Sequence, residues 1–123
     1  LLFPGGALRF SDGDLAISHL QRAGQEEPFD ALSIGTREQL AVLSRLGFAD
    51  LLREQGQPTA IVLDDALVYS DDARFERMLY VLRRAAQHQQ ILVLTCRERD
   101  YLSSGFEIRR LADCQGGALR RAG

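Results

Sequence analysis

Two short apolar runs, at residues 59–63 and 91–95, constrain the fold of this chain more than any other feature. Runs this short and continuously apolar are typical of strands buried on both faces of a parallel sheet. A helical pattern lies between them, so a right-handed strand–helix–strand crossover is expected. We therefore predict an α/β fold in which a short parallel sheet is flanked by helices.

Two helices are predicted around the first of these strands. The first spans residues 36–54, where Thr36 and Gln39 have the spacing of a capping box. Its predicted buried face consists of five residues at helical spacing: Leu40, Leu43, Leu46, Gly47 and Leu51. The second begins at Asp71 and ends near Gln87. Its predicted buried stripe is Phe75, Met78, Leu79, Leu82, Ala85 and Ala86.

The flanks of this core are predicted to be extended or irregular. An N-terminal β-hairpin is expected because turn-forming residues separate two alternating segments. The predicted flanking elements are strands at 7–10 and 15–18 around a turn at 11–14, a loop at 24–28, a helical turn at 97–102 and a closing strand at 106–109. The predicted organisation is one lobe at 1–114, comprising a β-ribbon at 1–30 and a core at 31–100, followed by a disordered tail at 115–123.

Composition excludes several functional classes. The net charge is −2, so the chain as a whole is not drawn to nucleic acid or to membrane. All 15 basic residues are arginine, whereas a P-loop of the G-x-x-x-x-G-K-S/T type needs a lysine on the phosphates. Cys96 and Cys114 make neither a disulfide framework nor a zinc site. We expect a cytoplasmic protein whose phosphate-binding loop, if it has one, lies elsewhere.

The most informative motif, Leu32-Ser33-Ile34-Gly35-Thr36-Arg37-Glu38-Gln39, joins a turn to the start of the first helix. A helix start presents unpaired N–H groups and the positive end of the helix dipole, which favour anions such as phosphate. Alone, the motif also fits an ordinary N-capped helix with Ser33 in the preceding turn. Asp64 and Asp65, which end the first apolar strand, favour the phosphate interpretation.

These motifs resemble those of ABC-class ATPases, and in particular the SMC-like, RecF-like and YhaN-like group. Residues 32–39 resemble the signature motif in its L-S-x-G-T-x-E-Q variant, and Asp64 and Asp65 resemble the end of the Walker B strand. Residues 68–71 lie where the D-loop belongs, and 95–97 where the switch-histidine loop belongs. The resemblance covers residues 29–99 and implies the C-terminal lobe of a split P-loop NTPase head.

The resemblance also implies roles for individual residues. The residues implied to contact nucleotide held by an opposing head are Ser33, Gly35, Thr36 and Glu38. Asp64 is implied to bind Mg²⁺, and Asp65, where many relatives have glutamate, to orient the attacking water. Ser70 and Asp71 are implied to connect the two sites of a dimer. The chain departs from the family after Thr95, where ABC-class enzymes usually have a histidine: Cys96 and Arg97 stand there instead. Hydrolysis is therefore expected to be slow or to depend on Arg97, the candidate catalytic residue, and Cys96 is expected to be a small buried residue.

Each assignment has a structural alternative. Glu38 and Gln39 could serve only to cap their helix, and Asp71 could cap the next one. Asp64 and Asp65 could accept loop N–H groups at a strand end. Arg97 could reach a phosphate through its guanidinium or could face water.

Three functional hypotheses follow from these readings. In the first, the chain joins an N-terminal P-loop lobe and pairs with a second head to bind and hydrolyse Mg-ATP, in DNA repair or chromosome maintenance; the DNA role rests on the resemblance alone. In the second, it is a nucleotide-gated dimerisation module with little hydrolysis. In the third, it is a small α/β protein with no nucleotide role.

Overall fold

The computed structural model describes residues 5–14 and 16–115, which form a mixed α/β structure with two separate sheets. The strands are β1 (Ala7–Phe10), β2 (Ile17–Arg22), β3 (Gln25–Pro28), β4 (Ile61–Asp64) and β5 (Ile91–Leu94). The helices are α1 (Ile34–Glu54), α2 (Asp72–Ala85), α3 (Glu98–Tyr101) and α4 (Leu111–Gln115), with 3-10 turns at Phe29–Ala31 and Leu102–Ser104. The predicted fold class, a short parallel sheet flanked by helices with an N-terminal hairpin, is confirmed.

The parallel sheet consists of β4 and β5, paired in register from Ile61 opposite Ile91 to Asp64 opposite Leu94. The prediction that both faces of these strands are buried is wrong. Side chains alternate between faces along a strand, and only one face packs against the core within the described residues. Leu63 is fully buried, whereas Val62 is 51% exposed, and Leu92 and Leu94 are also exposed.

Helix α1 begins earlier than predicted and is capped differently. Its N-cap is Ser33, whose Oγ accepts the Thr36 N–H at 3.3 Å. The capping box predicted for Thr36 and Gln39 is therefore wrong, because Thr36 already lies inside the first turn.

The buried face of α1 was also predicted only in part. The helix lies between the two sheets, so its buried residues fall on two sides. Leu40 packs towards the N-terminal sheet, and Val42, Leu46 and Ala49 towards the parallel sheet. Of the other residues predicted on the buried face, Leu43 is half-buried, whereas Gly47 and Leu51 are exposed.

Helix α2 follows its prediction closely. The Asp71 carboxylate accepts the Arg74 N–H at 2.9 Å and so caps the helix. The buried centre of the predicted stripe is confirmed at Met78, Leu79 and Leu82. Ala86, also predicted in the stripe, is exposed because the helix has ended at Ala85.

The N-terminal segment forms three antiparallel strands in the order β1–β2–β3. The predicted hairpin is confirmed, but the loop predicted at 24–28 is wrong, because residues 25–28 form β3 against β2. These residues are polar because β3 is an edge strand. Glu26 and Glu27 form ion pairs with Arg9 and Arg22, respectively.

The C-terminal part agrees with the prediction at one of two elements. The helical turn predicted at 97–102 is present as α3 and the following 3-10 turn. The strand predicted at 106–109 is wrong, since these residues have no regular structure. Gln115, placed in a disordered tail, is the last residue of α4, and the rest of that tail lies outside the described residues. None of the helices in the described ranges is long and apolar enough to cross a membrane.

Candidate functional site

Several predicted site residues lie around the segment that joins the end of β4 to α2. The Asp65 N–H donates to the Leu94 carbonyl at 2.9 Å, which joins the residue after β4 to the last residue of β5. Residues 66–71, hereafter the D-loop segment, run from Asp65 to the start of α2 and lie against the first turns of α1. The structure therefore brings two of the motifs, the 32–39 run and the 95–97 loop, into direct contact with the D-loop segment.

The start of α1 presents Ser33 to solvent. The Ser33 Oγ lies 2.8 Å from the Thr36 Oγ1, and Arg74 Nη1 donates to the same threonine oxygen at 3.5 Å. Ser33 is exposed, whereas Thr36 is buried. Ser33 therefore caps α1 in place of the predicted Thr36, and its exposed hydroxyl lies at a helix N-terminus, the end of a helix that favours anions.

Gly35 allows the close approach of α1 to the D-loop segment. A Cβ at this position would lie 2.6 Å from the Tyr69 carbonyl oxygen, a distance that real Cβ atoms do not adopt. The glycine was predicted to allow close backbone approach to a phosphate. In this chain the backbone that approaches it is that of Tyr69.

Glu38 and Gln39 contact the D-loop segment and do not cap their helix. Glu38 Oε1 accepts the Val68 N–H at 3.0 Å, and Oε2 accepts the Tyr69 N–H at 3.1 Å. The buried Gln39 donates from Nε2 to the Ser70 Oγ at 3.2 Å. The sequence did not indicate these contacts, because their partners are about 30 residues away along the chain.

Asp64 is the last residue of β4, and Asp65 is the first residue after it. Asp65 is exposed, has a φ of 42°, and accepts the Cys96 N–H on Oδ1 at 3.4 Å. This contact confirms the loop N–H alternative for Asp65. Asp64 is exposed as well.

An Mg²⁺ ion would find one carboxylate ligand at Asp64. The described part of the chain contains no group of three or more His, Cys, Asp or Glu residues that could hold a metal. Protein-bound Mg²⁺ commonly keeps several waters and takes one or two carboxylates together with substrate phosphates. An exposed carboxylate at the carboxyl end of a strand fits that donor set.

Arg97 is held by protein groups. Its Nη1 donates to the Val68 carbonyl at 2.8 Å, and its Nη2 lies 2.5 Å from the Asp100 Oδ2. Neither alternative considered for this residue, a phosphate contact or a solvent-facing side chain, included these partners. Cys96, predicted to be buried, is exposed.

Tyr101 is a supporting residue to which the sequence assigned no role. Its hydroxyl donates to the Ala66 carbonyl at 3.3 Å, and its ring meets Phe75 edge-on with centroids 5.3 Å apart. Burial raises the pKa of the Tyr101 hydroxyl, with the Arg97 charge acting in the opposite direction. The D-loop segment is therefore bound by side chains on both sides: Glu38 and Gln39 from α1, and Arg97 and Tyr101 from the region after β5.

Comparison with known proteins begins with the fold. The structure matches that of a solved SMC ATPase, from work on ATP-driven dimerization and DNA-stimulated activation, with a TM-score of 0.60 and 22% identity. The match covers 87% of this chain and 66% of that one. The chain therefore shares its fold with part of that SMC ATPase. No protein-family model matches the sequence.

The sequence is also similar to parts of several longer curated proteins. YhaN of Bacillus subtilis is 36% identical over 90 residues, which is 72% of this chain and 9% of YhaN. Rv1278 of Mycobacterium tuberculosis and Mb1309 of Mycobacterium bovis are each 33% identical over 90 residues. The chain spans about a tenth of the length of these relatives. The resemblance to SMC-like and YhaN-like ATPases is thereby confirmed.

Proposed function

We propose that this chain is the C-terminal half of an SMC-like ATPase head, which with an N-terminal P-loop lobe and a second head binds and hydrolyses Mg-ATP. The observation that carries the proposal is the direct contact of the first two turns of α1 with the segment that follows the carboxyl end of β4. In parallel α/β sheets, ligands bind at the carboxyl ends of the strands.

Each residue has a role in this proposal that its position allows. The exposed Ser33 hydroxyl and the N-terminus of α1 bind the γ-phosphate of ATP held by the opposing head. Asp64 binds Mg²⁺, which, when bound, supplies positive charge to the phosphates. Asp65 orients the attacking water, and Arg97 stabilises negative charge on the phosphate.

The exposed face of the parallel sheet supports the proposed N-terminal lobe as a partner. Val62, Leu92 and Leu94 lie on this face with substantial exposure. A contiguous apolar patch is commonly an interaction surface. Asp64 lies on the same exposed face as Val62, so a lobe that covers this face would lie beside Asp64.

ATP turnover by the full-length protein, followed as its concentration rises, tests the proposal. We expect the specific rate to climb with concentration, because each site requires two heads. Ser33→Arg, which places a bulky cation in the interface, should abolish this climb. The matched control is Ser103→Arg, since Ser103 is also an exposed serine but lies beyond α3. Turnover by the Ser33 variant at the wild-type rate would contradict the proposal.

A second function is favoured by the hydrogen bonding of two proposed catalytic groups. Asp65 accepts the Cys96 N–H, and Arg97 is bound to the Val68 carbonyl and Asp100. Groups held in this way suit a nucleotide-gated dimerisation module that hydrolyses ATP little. Asp65→Asn separates the two functions: an enzyme loses turnover, whereas a gate keeps its ATP-dependent dimerisation and has little turnover to lose.

A role on DNA is the furthest extension of this proposal. Support comes from the solved SMC ATPase, whose activation is DNA-stimulated, whereas the net charge of −2 gives none. Turnover measured with and without duplex DNA tests it, and an unchanged rate would argue against it.

A further inference from the structure

We propose that Glu38 is a positioning residue that fixes the D-loop segment to α1, so that Ser33 and the Ser70–Asp71 pair move as one unit. This inference rests on the proposed function, in which Ser33 meets nucleotide on the opposing head. In a dimer of heads, this link gives nucleotide bound at one of the two shared sites a way to alter the other site.

The Glu38 contact is specific to a carboxylate. Its two oxygens accept hydrogen bonds from two consecutive backbone N–H groups, at 3.0 Å from Val68 and 3.1 Å from Tyr69. Hydrogen bonds to an ionised acceptor are stronger than those between neutral groups. A glutamine offers only one acceptor oxygen and would direct an NH₂ group at the second N–H.

The neighbouring residues of the motif strengthen the same link. Gly35 brings the α1 backbone against the Tyr69 carbonyl, and Gln39 donates to the Ser70 Oγ. Every residue from 68 to 70 therefore contacts the first two turns of α1. Asp71 comes next and caps α2, so the link continues into that helix.

The position of Ser33 on the same helix lets nucleotide binding act on this link. Ser33 caps α1 five residues before Glu38, so both belong to the start of one helix. A phosphate bound at Ser33 would displace or hold the helix start, and the Glu38 hydrogen bonds would pass that displacement to Val68 and Tyr69. With Glu38 neutralised, nucleotide can still bind at Ser33, but the D-loop segment follows the helix less closely, because only the Gly35 and Gln39 contacts remain.

The test compares Glu38→Gln with Glu54→Gln in the full-length protein. Glu54 is an exposed glutamate at the other end of α1, so the control makes the same chemical change on the same helix. We expect Glu38→Gln to lower kcat about tenfold, the effect of losing a charge-assisted hydrogen bond. The KM for ATP should stay within about twofold, since ATP is held elsewhere. The Hill coefficient for ATP should fall towards one.

A second measurement reads the contact directly and does not depend on ATP. Hydrogen exchange at the Val68 and Tyr69 amides should be faster in Glu38→Gln than in Glu54→Gln. Equal exchange in the two variants would overturn the inference, as would an unchanged kcat and Hill coefficient. A parallel loss of ATP binding and kcat would also overturn it, because that pattern marks general destabilisation.

The inference and the proposed function fail in different ways. A wild-type protein that neither dimerises with ATP nor turns it over refutes the proposed function. The comparison of hydrogen-exchange rates in Glu38→Gln and Glu54→Gln still decides whether Glu38 holds the D-loop segment. If Glu38→Gln does not fold, Glu38→Asp is used with the same readouts. It keeps the charge but is one methylene shorter, so it should lose one of the two amide contacts and show the same pattern in weaker form.

Discussion

Alanine at Gly35 should destabilise the protein, although alanine is the better helix former. An added Cβ would lie 2.6 Å from the Tyr69 carbonyl oxygen, whereas ordinary van der Waals contact begins at 3.4 Å. The two backbones must therefore separate by about 0.8 Å. The same movement stretches the Glu38 hydrogen bonds to Val68 and Tyr69, which are now at 3.0 and 3.1 Å.

The magnitude follows from two opposed effects. Overpacking of a tight contact costs about 1–3 kcal/mol, and replacing glycine by alanine in a helix gains up to about 1 kcal/mol. We expect a net loss of about 1–2 kcal/mol in the free energy of unfolding. Gly47→Ala provides the matched control, because a Cβ at this exposed position in the middle of α1 meets nothing within 4 Å. It should stabilise the protein by about 0.5–1 kcal/mol.

Urea denaturation of the wild type and both variants measures these changes. The expected result is a lower midpoint for Gly35→Ala and a higher midpoint for Gly47→Ala, with unchanged slopes. A Gly35→Ala protein as stable as the wild type would refute the claim that α1 and the D-loop segment are in tight backbone contact. Because both variants replace glycine by alanine in the same helix, helix propensity alone cannot make one variant less stable and the other more stable than the wild type.

Two further predictions concern the core and its pH dependence. Leu63→Ala, at a fully buried strand position, should lower the free energy of unfolding by about 2–5 kcal/mol. Leu102→Ala, at a 64% exposed position, should change it by less than about 0.5 kcal/mol. Equal losses of stability in urea denaturation would contradict the assigned core. The pKa of Tyr101 is raised in the folded state, so its contribution to stability is fully present below the unfolded pKa and is lost as the pH rises through the folded pKa. Stability measured above about pH 10 should therefore fall less steeply in Tyr101→Phe than in the wild type, and identical slopes would contradict burial of the hydroxyl.

The sequence was sufficient for the elements whose determinants are local. Asp71 caps α2 because a carboxylate three residues before Arg74 can accept its N–H, and that spacing is visible in the sequence. The short apolar runs at β4 and β5 likewise indicated parallel strands. Order and spacing of the motifs also identified the SMC-like fold.

What could not be predicted depends on contacts between distant segments. The exposure of Val62 and Leu92 follows from what covers the sheet, and a continuous apolar run gives no information on that. Strand β3 was missed because an edge strand needs few apolar residues, so Glu26 and Glu27 resembled a loop. Glu38 has the sequence context of a helix-capping residue, and only the folded chain places it on Val68 and Tyr69.

The most direct test of the central proposal is the mass of the full-length protein in solution with and without Mg-ATP. If nucleotide is shared between two heads, the wild type should be dimeric at saturating Mg-ATP and monomeric without it at the same concentration. Ser33→Arg should remain monomeric in both conditions, while Ser103→Arg should behave as the wild type. A wild type whose mass does not respond to Mg-ATP, or a Ser33→Arg protein that dimerises equally well, would contradict the proposal.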